Sequence, residues 1–435
     1  MNYKASFIII LSILTSSCKF QKDNESDYDV PNDSNVEIFK FDSFGKDSLL
    51  KYSDVYSKIE YIPLETTDET LIAEITNLEV LENGDLLVFD LTKGAIILFD
   101  KTGKYIRHIG HKGKGHNEYV FPKLMKYDKY SKQVIIFDSA KSNLMFYNLQ
   151  GELVSVVDID MYISDLAVLD KNHLCVYMNY RDDLTMKQKG YNIKILNKKG
   201  LIVSEYKEYG EDMQLFHPFC RYTFTQMYDG IYFIQPYSYL VSSINIDGIN
   251  KAFYMDFGKH LIPREWIPGN NMDIIQKVES SENVVEIRRL WRVKDKIVMN
   301  LLRAARSTMY FLDIKDRNND MYASYGMIND LYGIESSQDL ETIKENKLYF
   351  SMLPSQFVNC QSWIKKFKAG DDLVEKQKKS LEENMRISNN NIDMAFYKKY
   401  MESMIVLSQK DIDLINSVHE EDNPIIQVCT LKDKF

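Results

Sequence analysis

A long basic run is missing from this 435-residue chain, and its formal net charge is −9. Such a chain cannot neutralise the run of phosphates that sequence-independent nucleic-acid binding requires, so no nucleic-acid partner is expected. Cysteine is scarce as well, with five in all. Cys175, Cys220, Cys360 and Cys429 are scattered, no Cys-x-x-Cys pair occurs, and each sits in or beside a strand-like run. That spacing excludes a zinc site, and the four are expected as free, buried thiols that behave as small hydrophobes. The familiar catalytic signatures are also absent: no Gly-x-Ser-x-Gly elbow and no His-Glu-x-x-His helix. The glycines at 110–115 are followed by neither Lys-Ser/Thr nor a helix, which excludes a phosphate loop. No cofactor, metal or catalytic residue is therefore expected.

What is present favours a large β fold. Apolar residues make up 45% and charged residues 27%, enough to bury a core and too little charge for wholesale disorder. Twenty-nine Tyr and 22 Phe favour strands. The first residues read as an address. Lys4 precedes a short apolar stretch, Phe7 to Leu14, and Thr15-Ser16-Ser17 leads to Cys18. The stretch is too short to span a bilayer, and the small residues read as a cleavage site. A Cys there resembles the lipobox of bacterial lipoproteins, although Leu14 stands four residues before Cys18 where three is usual. The resemblance implies acylation of Cys18, with more than one chain for a stable anchor. Residues 1–17 are then a signal peptide and 18–34 an acidic tether, which also resembles the export tags of Bacteroidetes surface lipoproteins. An outer-membrane lipoprotein is expected.

An internal repeat carries the fold expectation. Val88-Phe89-Asp90 through Gly103-Lys104-Tyr105-Ile106 aligns without a gap on Ile136-Phe137-Asp138 through Gly151-Glu152-Leu153-Val154, at an offset of 48. Gly103 supplies the positive φ that a tight hairpin needs. The period decays through units ending at Gly200 and Gly248, a fifth that has lost the glycine, and an incomplete sixth at Lys347 to Met352. Four strands fit in 48 residues, which is one blade of a propeller. Leftover strands at Asn35–Phe41, Ile59–Leu64 and Ile425–Leu431 are expected to complete the sixth blade, because an open ring exposes two sheet edges. The expectation is an all-β, monomeric, six-bladed propeller over 35–435. A helical insertion is expected at 371–422, where Leu373, Leu381, Met385, Met394, Tyr397 and Met401 keep helical spacing and Asp411 caps a last helix. Residues 260–285 read as an ordered loop.

With these residues in view, the chain resembles the six-bladed β-propeller lipoproteins of Bacteroidetes, similar in blade pattern to NHL-repeat proteins. The carrying phrases are Tyr61-Ile62-Pro63-Leu64-Glu65-Thr66, the blade phrase from Val88 to Gly103, the link Ile109 to Tyr119, and Asn423-Pro424-Ile425-Ile426. In the link, His116-Asn117 replaces the usual Pro-Gly. The resemblance is specific for fold and silent on function.

His108, His111 and His116 lie in a Gly- and Lys-rich link and read as solvated turn residues rather than metal ligands. Asp90 and Asp138 recur at a turn where Asp satisfies backbone amides, and their equivalents, Gln235 and Arg303, change chemical type. Arg288, Arg289, Arg292, Arg303 and Arg306 surround Trp291, a basic-aromatic lining suited to an anion or sugar in the channel or, equally, to snorkelling at the surface. Two function classes stand. One is a non-enzymatic module for a protein, peptide or glycan partner; the other is a lactonase- or lyase-like enzyme with its site in the channel.

Overall fold

The computed structural model describes residues 31, 33–41, 50–181, 190–209, 222–227, 229–266, 274, 276–277, 281–303, 306–323, 327–329, 340–368 and 409–433. Six sheets of antiparallel four-strand type follow one another around a ring. Blade one comprises Asn77–Val80, Leu86–Asp90, Ala95–Phe99 and Tyr105–His108, from the axis outward. Blade two repeats it with Pro122–Asp128, Gln133–Asp138, Asn143–Asn148 and Leu153–Asp158. The innermost strands of blades three, four and five are Asp165–Val168, Phe224–Met227 and Val284–Val293.

Blade faces stack on one another, so middle strands are buried on both sides while outer strands meet water. Leu86–Asp90 is buried throughout, whereas Leu153–Asp158 is largely exposed. Alternation along each middle strand divides its side chains between two interfaces. Leu87 and Phe89 pack with Val134, Ile136 and Tyr147 of blade two. Leu86 and Val88 pack the other way, on Tyr349, Ile426 and Val428 of blade six. The core is thus a set of inter-blade clusters rather than one central mass.

The repeated glycine serves these interfaces as well as its own hairpin. Gly103 has φ +88°, and a Cβ there would stand 2.1 Å from the carbonyl oxygen of Pro63 in the preceding blade. Gly151, with φ +83°, meets the His108 carbonyl of blade one in the same way. Only glycine permits both the backbone angle and the approach.

Blade six is interleaved from both ends of the chain. Its order is Leu340–Lys344, Lys347–Met352, Ile425–Leu431 and, outermost, Tyr56–Pro63. The closure expected for Ile425–Leu431 and the strand at Ile59–Leu64 therefore holds. The strand within Asn35–Phe41 goes elsewhere. Glu37–Lys40 pairs in parallel with the outer strand Gly248–Asp256 of blade four and makes that sheet five-stranded. Phe41 explains the choice: it stacks on Phe257 at 4.6 Å and meets Tyr310 of blade five edge-on at 5.0 Å. Leu50–Lys51 pairs in parallel with Met327–Ile328, and the strand Tyr56–Pro63 that follows is the outermost of blade six.

Helix formation starts earlier than the spacing suggested. A helix spans Pro354–Lys368 between the second and third strands of blade six, and a second spans Gln409–Ser417. Proline at the first helical position forfeits no hydrogen bond there, and its ring presets φ. Phe357 and Cys360 pack with Ile415, Val418 and Ile425, fixing both helices to the blade. Asp411 is buried in the first turn rather than at the cap. The Leu373-to-Met401 pattern lies outside the described residues, as do Cys18 and Cys220. A short 3-10 turn at Gly258–His260 leads into the segment 260–285, which carries a second at Arg264–Trp266. Among the described residues no helix is long and apolar enough to cross a membrane.

Candidate functional site

The six innermost strands surround a cavity of about 380 Å³ on the ring axis. These strands hold their spacing by bonds from blade to blade. Asn77 donates to the Met125 carbonyl at 2.9 Å, Thr225 to the Leu290 carbonyl at 2.7 Å, and Lys344 to the Val80 carbonyl at 2.9 Å. One side chain bridges opposite blades beside the cavity. Tyr222, just before the inner strand of blade four, reaches over the axis and donates its phenol hydrogen to the carbonyl of Thr76, just before the inner strand of blade one. Blades one and four are diametrically opposed in a ring of six.

The lining is mixed, with apolar Ile287, Leu290, Phe224 and Ile343 beside charged groups from four blades. Lys126 forms an ion pair with Glu79 at 3.1 Å. Burial disfavours its ammonium, yet Glu79 and Asp165 outweigh that cost and hold Lys126 charged above the ordinary lysine range. Lys344 is shifted the other way, because burial dominates and the nearby Glu82 only partly compensates. Glu82 accepts from the Tyr127 hydroxyl at 3.1 Å, and Glu341 from Ser351 at 2.7 Å.

Arg289 differs from the other cations. Its guanidinium lies against the ring of Tyr222 and 5.7 Å from the centroid of Trp291. Its Nε and Nη2 are shielded from solvent and have no hydrogen-bond partner among the described residues. Buried charged donors are normally paired, so this group is incomplete.

Three of the residues singled out from the sequence meet here: Arg288, Arg289 and Trp291 all line the cavity. The others do not. Arg292 donates to the Lys294 carbonyl at 3.4 Å, and Arg303 bonds Glu282 and the Tyr322 hydroxyl. The side chain of Arg306 lies outside the described residues, and its backbone pairs with Arg303. Asp90 and Asp138 are buried but lie off the cavity. Asp90 accepts from the amides of Ala73 and Lys93, and Asp138 from those of Val120, Phe121 and Ala140. Gln235 bonds Tyr180. His108 and His111 stand 5.8 Å apart in a bend where the Glu118 carboxylate accepts from the Gly115 amide at 2.7 Å. Among the described residues no three His, Cys, Asp or Glu side chains are grouped to hold a metal ion.

Sequence reasoning missed Tyr222, Lys126, Glu79 and Lys344. The available signal was a charged residue inside an otherwise apolar inner strand, as in Leu78-Glu79-Val80 and Met125-Lys126-Tyr127. Glu79 pairs with Leu87 and Lys126 with Ile135, positions that match at the 48-residue offset.

A ring of six blades around an axial cavity defines the class, a six-bladed β-propeller. The chain belongs to the family described as a domain of unknown function, DUF4934, whose model matches residues 36–398. No curated protein matches it. Among solved structures, a Bacteroides fragilis protein described as exported has a TM-score of 0.63 at 13% identity, over 92% of this chain and 100% of its own. A DUF4221 member from Bacteroides vulgatus has a TM-score of 0.44 at 10% identity, over 68% and 91%. Virginiamycin B lyase from Staphylococcus aureus has 0.35 at 10% identity, over 62% and 74%. The first of these shows a shared fold.

Proposed function

We propose that the protein is a non-enzymatic binding propeller, held at the bacterial cell envelope by a lipid on Cys18. Its axial cavity receives a small ligand or a group carried by a protein, peptide or glycan partner. The observation that carries this reading is the desolvated edge of Arg289, without a hydrogen-bond partner among the described residues, inside a mixed lining of aromatic, apolar and charged side chains, an arrangement that favours an external partner over a solvated surface arginine. Among the described residues the lining includes no His, Cys or Ser, and its three glutamates engage Lys126, Tyr127 and Ser351. That supports binding over the alternative hydrolase or lyase.

The test is to incubate the purified 35–435 domain with a spent-medium extract and identify by mass spectrometry what it retains. A molecule recovered unchanged after prolonged incubation supports a binding module. Recovery of a cleaved or eliminated product, lost in a Glu79→Gln or Glu341→Gln variant, would overturn it in favour of the enzyme.

A further inference from the structure

The axial cavity carries an electrostatic asymmetry that narrows what it binds. Its lining holds Lys126, Lys129, Arg288, Arg289 and Lys344 against Glu79, Glu82 and Glu341, an excess of two positive charges. The chain as a whole has a net charge of −9. A positive well in an acidic molecule, with low-dielectric walls, focuses field lines and favours entry of an anion.

The cations do not contribute equally. Lys126 is matched by Glu79, and Arg288 lies 3.8 Å from Glu286. Lys344 spends its hydrogens on the carbonyls of Val80 and Leu81. Arg289 has no carboxylate partner among the described residues, and two of its nitrogens are hidden from water with nothing to donate to. A guanidinium presents a planar pair of N–H groups that matches a carboxylate edge. Trp291 and Phe224 are apolar members of the lining, so a guest with an apolar or aromatic body has matching surface beside Arg289.

Resting on the reading of the cavity as a binding site, we infer that it takes a small organic carboxylate with an apolar or aromatic body. Arg289 clamps the carboxylate, and the body packs against Trp291. The ring of Tyr222 now occupies the face of Arg289, a cation–π contact that stands in for the missing anion. Entry of the carboxylate shifts that ring and with it the bond to Thr76.

Indole-3-propionate and its neutral amide serve as the probe pair, titrated into the purified 35–435 domain by calorimetry. Tyrosine-to-tryptophan energy transfer provides a second reading. The acid is expected to bind one per chain, and the amide about 10- to 100-fold more weakly, as loss of a charge-assisted bidentate contact implies. Arg289→Met should abolish the preference for the acid. Arg289→Lys should retain part of it. Removing an unpaired buried charge should also leave the unliganded melting temperature of Arg289→Met unchanged or about 2 °C higher, which separates lost binding from lost folding. Equal binding of acid and amide, unaffected by Arg289→Met, would overturn the carboxylate assignment and leave the binding module standing. Failure of both to bind would also overturn it. Conversion of either probe would instead refute the non-enzymatic reading.

Discussion

The side-chain oxygen of Asn423 accepts the backbone amide of Ile72 at 2.7 Å, across a separation of 351 residues. The same side chain donates to the carbonyls of Glu65 and Thr70 at 2.8 Å each, and the backbone amide of Asn423 donates to the Thr66 hydroxyl at 2.8 Å. One buried amide thus joins the lead-in of the last strand to the loop that follows the first strand of the same blade. Asn423→Ala leaves the Ile72 amide and the Thr70 carbonyl without this partner, while the Glu65 carbonyl still accepts from the Thr70 hydroxyl at 2.7 Å. A loss of roughly 2–4 kcal/mol is expected from such orphaned groups. Urea denaturation checks it, and a loss below about 0.5 kcal/mol would show that the two ends are joined by apolar packing alone.

Gly84 and Gly103 share a positive φ, +90° and +88°. They differ in surroundings: a Cβ at Gly84 would meet the Lys101 side chain at 3.3 Å, while at Gly103 it would meet the Pro63 carbonyl at 2.1 Å. Gly84→Ala should therefore cost about 1–2 kcal/mol, the backbone term alone. Gly103→Ala should cost roughly 2 kcal/mol more, since backbone of the neighbouring blade must move. Equal costs for the two variants would remove the inter-blade role of the repeated glycine.

Burial pushes the Glu286 carboxyl up to about 7, with Arg288 opposing the shift. The folded value lies above that of an exposed glutamate, so the folded chain holds a proton that the unfolded chain has released. Stability from this group is present in full below about pH 4.3, declines through pH 7 and is flat above it. Glu286→Gln should flatten that decline and stabilise the protein at pH 8 by about 1–3 kcal/mol. Urea melts at pH 5 and pH 8 decide the matter, and a variant that tracks the parent at both would show that the carboxyl is solvated.

Cys18→Ala should release the protein from membranes. Expressed in a Bacteroidetes host and fractionated, the variant is expected in the soluble pool and the parent with outer membrane. A variant that still sediments with the outer membrane would exclude the lipid anchor.

Blades one and two were legible in the sequence because their middle strands are buried on both faces, and such strands keep both their apolar character and their spacing. The hairpin glycines persisted for a steric reason visible only in three dimensions. Arg288, Arg289 and Trp291 could be singled out as a basic-aromatic group, but whether the group faced the axis or the solvent depended on the bulges that shift the register of Val284–Val293. Tyr222 left no trace. It precedes a strand, belongs to no repeated phrase, and acts only because blade four faces blade one. The strand at Glu37–Lys40 joins blade four rather than blade six for a similar reason, since its destination is set by where Phe41 finds aromatic neighbours. Helix Pro354–Lys368 was hidden by following directly on a strand.

The interleaving of blade six also sets a timetable. Tyr56–Pro63 is among the first strands made, and the neighbour it must pair with, Ile425–Leu431, among the last. At ordinary rates of synthesis the early strand waits on the order of twenty seconds to a minute for its partner. Contacts this distant along the chain also slow the search that follows. The ring therefore cannot lock while most of the polypeptide is still emerging.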